Sequence, residues 1–462
     1  MKKKSQQELK EQRVVILGLA RQGTSLARYL AELGADVTVS DVRQEEALAD
    51  AIQELEGLPI RYALGGHPPN LLDGADLLCL SGGVPLDIPI VEEARKRDLP
   101  VSNDAQIFLE RCPAPVIGIT GSAGKTTTTA MTGEMCRAAG FRTWVGGNIG
   151  NPLIDDLDEI RPTDKVVMEL SSFQLELMRN SPHIAAVLNI TPNHLDRHED
   201  MEAYIAAKRN IIAHQTEEDF ALLGYDDANA RSLALETPAQ LLWFSGGAEV
   251  EKGAFKTNGE LTLRLNGCDG TICEADEIEL LGKHNILNVL ASSVLAGVAG
   301  VPLEAIREVA TTFEGVEHRL ELVREWKGAR WYDDSIATAP ERSIAALRSF
   351  DAPVVLLAGG RDKDLPWGPF TDEAIHNVRT LITFGEAGPM IARVVRERLA
   401  EEDETSLTDI VEVDTLEQAV EAAAGIVESG DVVLLSPGGT SFDAFQDFAE
   451  RGDRFKEFVR AL

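Results

Sequence analysis

The segment that most constrains the fold of this chain is an apolar strand that runs directly into a glycine turn and then a helix. The strand covers Val116–Thr120, and the turn and helix start read Gly121-Ser122-Ala123-Gly124-Lys125-Thr126-Thr127. Backbone N–H groups of such a turn can surround phosphate oxygens, with Lys125 near the β- and γ-phosphates and Thr126 on Mg²⁺. Because the strict motif has glycine where this chain has Ile119, a plain glycine turn is the alternative. We predict a nucleotide-binding domain built on a parallel sheet.

Strand-like and helical segments alternate along the whole chain, a pattern typical of parallel sheets covered by helices. The first alternation begins with a strand at 14–17 and ends at Pro113 and Pro115. In the second, short polar strands between about 250 and 280 predict a small β insertion. The third begins at residue 314 and has strands near 330, 353, 380, 410 and 431. We predict an α/β protein of three domains: Rossmann-like over 1–112, a P-loop ATPase over 113–313, and Rossmann-like over 314–462.

Composition narrows the range of partners. The 462 residues include 76 acidic and 44 basic residues, and the net charge of −32 repels nucleic acid and anionic membrane surfaces. Apolar runs stay short of the ~20 residues of a membrane span, and the polar segment after the basic start does not resemble a signal peptide. Five cysteines without a CxxC pair favour buried, reduced thiols. We therefore expect a cytoplasmic protein with no nucleic-acid or membrane partner.

A second glycine turn, at residues 18–23, resembles the dinucleotide-binding fingerprint and is followed by Asp41 at the end of the next strand. The central glycine of that fingerprint is Ala20 here, and its side chain hinders the approach of a pyrophosphate to the backbone. A single-nucleotide site or a structural role is therefore favoured over NAD. Arg21 and Arg43, near the strand ends, are available for an anionic or carbonyl-bearing ligand.

Three ionisable residues of the predicted central domain each allow two interpretations. Glu169 ends a buried strand, where α/β sheets bind ligands, and could hold a second Mg²⁺ contact or cap the next helix. Lys208 shares an apolar helix face with the residues Met201, Tyr204, Ile205, Ile211 and Ile212, and could be buried or could snorkel to solvent. His194 could be a ligand or an ordinary loop histidine.

Three polar loops of the last predicted domain each follow a predicted strand. They lie at residues 333–338, 359–363 and 436–442. Since the carboxyl ends of parallel strands meet at one edge of a sheet, these loops predict a ligand site facing another domain. Asp, Ser and Gly also favour turns without any ligand, so simple turn chemistry is the alternative.

Seven spaced motifs, which together cover nearly the whole chain in the same order, resemble the signature series of the Mur ligase family. They are residues 120–127, 147–150, 169–174, 193–197, Lys208, residues 284–288 and residues 318–319. The resemblance implies a monomeric three-domain enzyme. Its first domain would bind a uridine nucleotide, its central domain would be an ATPase, and its last domain would bring an amino acid.

The resemblance also implies a reaction. The alanyl carboxylate of UDP-N-acetylmuramoyl-L-alanine would attack the γ-phosphate of ATP, and the amine of D-glutamate would then attack the resulting acyl phosphate. Two Mg²⁺ ions would assist, one of them held by a carbamylated Lys208. Because Ile336 stands where the family has a lysine, ligation of L-glutamate, or of another amino acid as in the folylpolyglutamate synthase relatives, stays open. From another class, an ATP-dependent switch or scaffold is the alternative.

Individual roles follow from the residues that match the family motifs, although Gly82 replaces a proline of the common turn. The implied catalytic residues are Lys125, Glu169, His194 and Lys208. The implied Mg²⁺ ligands are Thr126, Glu169, His194 and Lys208. The implied ATP contacts are Gly121, Gly124, Lys125, Thr126, Thr127, Asn285, Asn288, Arg319 and Asp334. The implied substrate contacts are Arg21, Gln22, Asp41, Arg43, Gly83, Asn148, Ser171, Gln174, His194, Thr338, Lys363, Ser441 and Phe448.

Overall fold

The first sheet follows from the apolar runs at the start of the chain. A computed structural model describes residues 6–148, 150, 152–192, 197–280, 282, 284–350, 352–362, 365–402 and 405–462. In it, five described parallel strands have the order β3-β2-β1-β4-β5. These strands are β1 (Arg13–Leu17), β2 (Asp36–Asp41), β3 (Ile60–Leu64), β4 (Leu77–Leu80) and β5 (Val101–Ser102). The helices are α1 (Arg21–Glu32), α2 (Ala49–Glu54), α3 (Pro89–Lys96) and α4 (Asp104–Arg111). The loops after β1 and β4 lie where the strand order reverses, the usual place of a ligand crevice.

The central sheet has β6, the strand of the glycine turn, in its interior. Its nine described strands have the order β14-β13-β12-β11-β10-β9-β6-β8-β7. They are β6 (Val116–Thr120), β7 (Thr143–Gly147), β8 (Lys165–Glu169), β9 (Ile184–Val187), β10 (Phe220–Gly224), β11 (Gln240–Ser245), β12 (Gly253–Thr257), β13 (Glu260–Arg264) and β14 (Gly270–Glu274). The helices are α5 (Lys125–Ala138), α6 (Ser172–Leu175), α7 (Met201–Arg209), α8 (Ala228–Ser232), α9 (His284–Val298) and α10 (Leu303–Thr312). The predicted β insertion corresponds to β12–β14, which extend the same sheet, with β13 antiparallel to both neighbours.

The third sheet contains six described strands in the order β15-β16-β20-β17-β18-β19. They are β15 (Glu321–Trp326), β16 (Ala329–Asp333), β17 (Val354–Gly359), β18 (Val378–Phe384), β19 (Asp409–Glu412) and β20 (Val432–Gly438), and only the β15–β16 pair is antiparallel among them. The helices are α11 (Pro340–Leu347), α12 (Gly368–Asn377), α13 (Gly388–Leu399), α14 (Leu416–Ile426) and α15 (Phe448–Ala461). Trp331 and Tyr332, adjacent in β16, belong to separate cores on opposite faces, as the two-residue period of a strand requires.

Contacts divide the chain into two compact units. The first contains Met1–Glu279 and His284–Phe313, and therefore the first two sheets; the second contains Leu280–Lys283 and Glu314–Leu462. Within the described ranges, no helix is both long and apolar enough to cross a membrane.

Two sequence expectations are corrected by the structure. Helix α7 ends at Arg209, so Ile211 and Ile212, which the pattern placed on its apolar face, lie in the turns after it, although both are buried. Cys268 is partly exposed, whereas the other four cysteines are buried as expected. The end of α7 places Lys208 in the last helical turn, close to the first turn of the following loop.

Candidate active site

The glycine turn after β6 has the geometry of a phosphate-binding loop. Gly124 has a φ of +84° at the N-cap of α5, and a Cβ there would overlap Oδ1 of Asn288. Lys125 Nζ donates hydrogen bonds to the carbonyl oxygens of Gly121 (2.8 Å) and Ser122 (3.3 Å). Thr127 is buried in the first turn of α5. The first N–H groups of α5 have no carbonyl partner within the helix and can bind an anion.

Asn189 and Thr191, which follow β9, hold this turn in place. The Asn189 side chain accepts from the Ala123 N–H (2.9 Å) and donates to the Ala123 carbonyl oxygen (3.1 Å). The Ser122 hydroxyl donates to the carbonyl oxygen of Thr191 and accepts from its N–H. Sequence reasoning assigned no role to Asn189, although an asparagine directly after a buried strand beside β6 was a usable signal.

Glu169 ends β8, where the strand register sets it beside Ile119 of β6. It is 1% exposed, and its two oxygens accept from Thr126 Oγ1 (2.9 Å) and Asn148 Nδ2 (3.0 Å). It does not cap the next helix, because Ser171 is the N-cap of α6. Glu169 therefore faces the phosphate-binding loop.

Lys208 is 1% exposed, which excludes the snorkelling interpretation. Its Nζ donates to the Gly121 carbonyl oxygen (3.0 Å) and to Thr120 Oγ1 (3.3 Å), and lies 4.7 Å from the centre of the Tyr204 ring. Burial lowers the pKa of Lys208 well below its ordinary value, the charge of Lys125 lowers it further, and Glu169 opposes this shift. Burial thus disfavours the charged form of this amine beside the phosphate-binding loop.

In the first domain, Asp41 organises the glycine turn. Its carboxylate accepts from the N–H of Leu19 (2.8 Å) and from Nε and a terminal nitrogen of Arg43 (3.0 and 2.9 Å). Burial alone would raise the pKa of Asp41, but these hydrogen bonds outweigh it and hold the pKa at about 2. The Arg43 side chain remains about half exposed. Asp41 therefore fixes Arg43 at the surface near the strand ends.

The loops of the first sheet also contact the central domain. Arg21 donates to the carbonyl oxygen of Asn148 (3.4 Å), and Arg197 donates to that of Gly83 (3.1 Å). The Gln22 side chain accepts from the Gly82 N–H at 3.2 Å. Of the predicted substrate contacts of the first domain, Arg21 and Gly83 therefore each contact the central domain within the first unit.

Ser171 and Gln174 form a reciprocal capping box at the start of α6. Gln174 Oε1 accepts from both the N–H and the hydroxyl of Ser171, each at 3.1 Å. The Gln174 N–H in turn donates to Ser171 Oγ at 3.3 Å. The carbonyl oxygen of Gln174 accepts from Asn103 Nδ2 (2.8 Å), which connects this box to the first domain.

Asn285 and Asn288 lie buried in the first turns of α9, beside α5. Asn288 Nδ2 donates to Asn285 Oδ1 at 2.7 Å, and Asn288 Oδ1 accepts from Thr128 Oγ1 at 3.3 Å. Because Gly124 has no Cβ, Asn288 Oδ1 can lie close to its backbone. The two asparagines therefore adjoin the phosphate-binding loop.

In the second unit, Asp334 is buried directly after β16. Its carboxylate accepts from Ser436 Oγ (2.8 Å) and from the N–H of Leu320 (3.3 Å). Burial raises the pKa of Asp334 to about 7, against the hydrogen bond from Ser436 and the charge of Arg319. Asp334, directly after β16, therefore contacts the end of β20 and lies near Arg319, as expected where parallel strands end at one edge of a sheet.

An arginine of α11 that contacts the loop after β16 was not identified from the sequence. Arg342, in the first turn of α11, donates to the carbonyl oxygen of Ile336 at 3.3 Å. Thr338 is partly exposed on the same loop, and Ser441 is buried after β20. Phe448 begins α15. The signal was available, because a cation one helical turn beyond the polar loop can reach back to it.

Two predicted site residues, His194 and Lys363, lie outside the described residues. In the first unit the structure brings the predicted residues around the phosphate-binding loop together with Glu169, Lys208 and the α9 asparagines. In the second unit it gathers Arg319, Asp334 and the loops of Thr338 and Ser441.

Comparison with known proteins accounts for this arrangement. Three family models match the chain: the Mur ligase MurD-like N-terminal domain over residues 12–103, the Mur ligase middle domain over 119–296, and the Mur ligase glutamate ligase domain over 318–439. A curated UDP-N-acetylmuramoylalanine--D-glutamate ligase from Acetivibrio thermocellus is 41% identical over 98% of this chain and 97% of its own length. The chain belongs to the Mur ligase family. A ligase of the same name from Symbiobacterium thermophilum is 43% identical, with 98% of each chain covered.

Solved Mur ligase structures share the fold at low sequence identity. UDP-N-acetylmuramate-alanine ligase from Thermotoga maritima has a TM-score of 0.59 at 20% identity, covering 97% of this chain and 99% of its own. MurF from Acinetobacter baumannii has a TM-score of 0.58 at 17% identity, covering 96% and 93%. These likenesses support the three-domain α/β Mur ligase fold.

Proposed function

We propose that this Mur ligase joins D-glutamate to UDP-N-acetylmuramoyl-L-alanine, with ATP hydrolysed to ADP and phosphate, in the synthesis of peptidoglycan precursors. The names of its 37–43% identical relatives support the substrates. The observation that carries the chemistry is the buried Lys208 amine, hydrogen-bonded to Gly121 of the phosphate-binding loop. A P-loop switch has no need of an inward amine at this position.

The first step is attack of the alanyl carboxylate on the γ-phosphate. Such a transfer needs alignment and charge neutralisation more than covalent help. Lys125 can exchange its contact with the Gly121 carbonyl for a phosphate oxygen, and the first N–H groups of α5 can receive the phosphates. Thr127, Asn285 and Asn288 would complete the contacts to ATP in the first unit. We assign Arg319 and Asp334 to ATP on the family motif.

The residues around Glu169 fit Mg²⁺ if Lys208 is modified. The hydroxyl of Thr126 and the carboxylate of Glu169 are hard oxygen donors 2.9 Å apart, which this ion prefers. An ammonium at Lys208 would repel the ion, but a neutral amine can attack CO₂ and lose a proton, giving a carbamate with two oxygens and one negative charge. Together with His194, these groups would hold two ions. When bound, Mg²⁺ neutralises charge on the transferring phosphoryl group.

The acceptor would lie along the first unit. Arg21, Gln22, Gly83 and Arg43 would bind the uridine nucleotide, with Asp41 holding Arg43 in place. Asn148, Ser171, Gln174 and His194 would orient the alanyl end. In support, Asn148 bridges these sets, since its carbonyl oxygen accepts from Arg21 and its amide donates to Glu169.

The second step is attack of the glutamate amine on the acyl phosphate, with release of phosphate. Thr338, Lys363, Ser441 and Phe448 would bind the amino acid. We add Arg342, because its contact with the Ile336 carbonyl keeps a guanidinium on the loop that lacks the family's lysine. A cation there can pair with a substrate carboxylate.

We further propose that the enzyme is a cytoplasmic monomer with domain boundaries at 112/113 and 313/314. In support of the first boundary, Pro113 and Pro115 lie between α4 and β6. The second falls between α10 and β15.

Product identification tests the function. The protein is incubated with ATP, UDP-N-acetylmuramoyl-L-alanine and a panel of D- and L-amino acids, and products are identified by mass spectrometry. We expect ADP, phosphate and a D-glutamyl product only when both substrates are present. An L-glutamyl product would reassign the stereochemistry. ATP turnover without the acceptor and without an amino acid would favour the switch alternative.

A further inference from the structure

Asp104 is a buried carboxylate to which the reaction described above assigns no role. It is the first residue of α4 and is 4% exposed. The charged group that acts on it is Arg21 of α1; Glu110 and Arg111, further along its own helix, pair with each other at 2.9 Å and act together with Asp104 on the thiol of Cys79. Burial raises the pKa of Asp104 to about 6, although the Gln174 amide and Arg21 act in the opposite direction. At neutral pH the group is therefore an anion inside the first unit.

The side-chain amide of Gln174 faces this anion. Its Oε1 is occupied by the N–H and hydroxyl of Ser171, so its Nε2 must point away from Ser171. Gln174 is 1% exposed, and Asn103, the residue before Asp104, donates to its carbonyl oxygen. Among the described residues, Gln174 Nε2 and Asp104 Oδ1 both lack a partner of hydrogen-bonding geometry. Because the Asn103 contact holds the start of α4 against Gln174, and because the same amide lowers the pKa of Asp104, the two unmatched groups lie close together.

The charge of Asp104 decides which way the amide points. The oxygen and nitrogen ends of an amide are nearly alike in shape, so packing alone hardly distinguishes the two orientations. An ionised carboxylate only accepts hydrogen bonds and repels the oxygen end. If the Gln174 amide were flipped, its NH₂ group would face the N–H of Ser171, and two donors would then oppose each other. Ser171, which contacts the amide oxygen of Gln174, and Asp104, which faces its amide nitrogen, therefore favour the same orientation of the amide.

We propose that Asp104 is a positioning residue that acts through Gln174 to hold Ser171 in place for the alanyl end of the UDP-sugar acceptor. This inference rests on the proposed function, which assigns Ser171 and Gln174 to that substrate. A helix-start acid that served only the helix dipole could remain exposed, with no desolvation cost. Asp104 is instead buried beside α6, which contains Gln174 and is capped by Ser171, the residues assigned to the acceptor.

The first test is Asp104→Asn, which keeps the shape and removes the charge. We expect KM for UDP-N-acetylmuramoyl-L-alanine to rise about tenfold, less than the roughly hundredfold that a full 1 Å misplacement can cost. KM for ATP should stay within about twofold. The matched control is Asp98→Asn, an exposed aspartate in the turn after α3, which should change neither constant. An unchanged acceptor KM in Asp104→Asn would overturn the proposal.

The second test separates positioning from general destabilisation. If Asp104 acts through Gln174, then Asp104→Asn should cause little further loss in a Gln174→Ala background, whereas independent roles would give multiplicative losses. In the wild type, kcat/KM for the acceptor should fall as pH drops below about 6, and this limb should be absent in Asp104→Asn. Multiplicative losses, or an identical acid limb in both proteins, would contradict the proposal.

Two controls keep the outcomes distinct. Circular dichroism checks whether Asp104→Asn is folded. If it is not, calorimetry of acceptor binding to the wild type at different pH values decides the question. Binding that does not change between pH 5 and 7.5 would count against the role of Asp104. Absence of a ligation product from the wild type would contradict the proposed function itself. Product formation with no effect of Asp104→Asn would contradict only the role of Asp104.

Discussion

Lys125 and Lys208 donate hydrogen bonds to one and the same carbonyl oxygen, that of Gly121, at 2.8 and 3.0 Å. Two cations at a shared acceptor repel each other, and burial already disfavours a charge on Lys208. Lys208 is buried and Lys125 only partly buried, so desolvation disfavours the charged form more strongly at Lys208. Lys125 of the phosphate-binding loop and Lys208 of α7 thus lie side by side at the Gly121 carbonyl oxygen.

Lys208→Met should abolish ligation and stabilise the fold. The folded pKa of Lys208 lies well below the unfolded value of about 10.4, so protonation favours the unfolded state, and this cost diminishes as pH rises towards 10.4. In CO₂-depleted buffer, the variant should have the higher Tm at pH 7, with a smaller difference at pH 9.5. Lys208→Ala should regain part of its activity with high concentrations of acetate or formate. Full activity of Lys208→Ala without them would contradict the proposed metal role.

Lys125→Ala should lower kcat at least about a hundredfold while leaving the Tm nearly unchanged. The expected loss is that of a group which stabilises charge on the transferring phosphoryl group. Steady-state ADP release measures it, and Lys96→Ala, an exposed lysine at the end of α3, is the matched control. An unchanged kcat in a folded variant would contradict the assignment of the loop to phosphate.

Arg43→Ala should raise KM for the UDP-sugar about tenfold with little change in kcat, because a hydrogen bond to a charged group is lost equally in ground and transition state. It should also lower the free energy of unfolding near neutral pH, and this loss should disappear in acid. Asp41 has a folded pKa of about 2, so its stabilisation is complete above the unfolded pKa of about 3.9 and is lost as pH falls towards 2. With Arg43 half exposed, we expect a loss of about 1–2 kcal/mol at pH 7 by urea unfolding. A parallel fall in kcat would indicate a role in the chemistry.

Asp334→Asn should weaken ATP binding and yet stabilise the protein at alkaline pH. The folded pKa of about 7 lies above the unfolded value of about 3.9, so stability falls as pH rises between these values. Ionising this buried carboxyl costs on the order of 4 kcal/mol, which the variant avoids. Denaturant unfolding should show a larger gain at pH 8 than at pH 5. Equal gains at both pH values would mean that Asp334 is not the titrating group.

Arg342→Ala should raise KM for D-glutamate about tenfold without affecting KM for ATP, because a charge-assisted contact to a carboxylate is lost. D-glutamine lacks the γ-carboxylate. If Arg342 binds the γ-carboxylate of D-glutamate, Arg342→Ala should therefore change the KM of any weak reaction with D-glutamine less than the KM for D-glutamate. Arg393→Ala, an exposed arginine on α13, is the control. Equal effects of the two substitutions on KM for glutamate would exclude a specific contact.

Much of the fold could be predicted because its signals are local. The apolar run 116–120, the glycine turn and the helix after it follow one another directly, and β6 and α5 have the predicted starts. The third alternation was also correct in its strands near 330, 353, 380, 410 and 431. The end of α7 was missed, since Ile211 and Ile212 continue the apolar period after the helical hydrogen bonds have stopped. Periodicity reports burial, and burial does not require a helix.

The sequence by itself determined the order of α/β elements, the phosphate-binding loop and the family, because each depends on residues adjacent in the chain or on motifs read in order. Only the tertiary structure decided the state of the ionisable groups. Thr126 meets Glu169 across 43 positions, and Asn103 meets Gln174 across 71. The burial of Lys208 and Asp104 depends on such packing, because the desolvation that shifts a pKa comes from segments distant in sequence. The same lysine could have snorkelled to solvent on another surface, and here the contacts around Gly121 keep it inside.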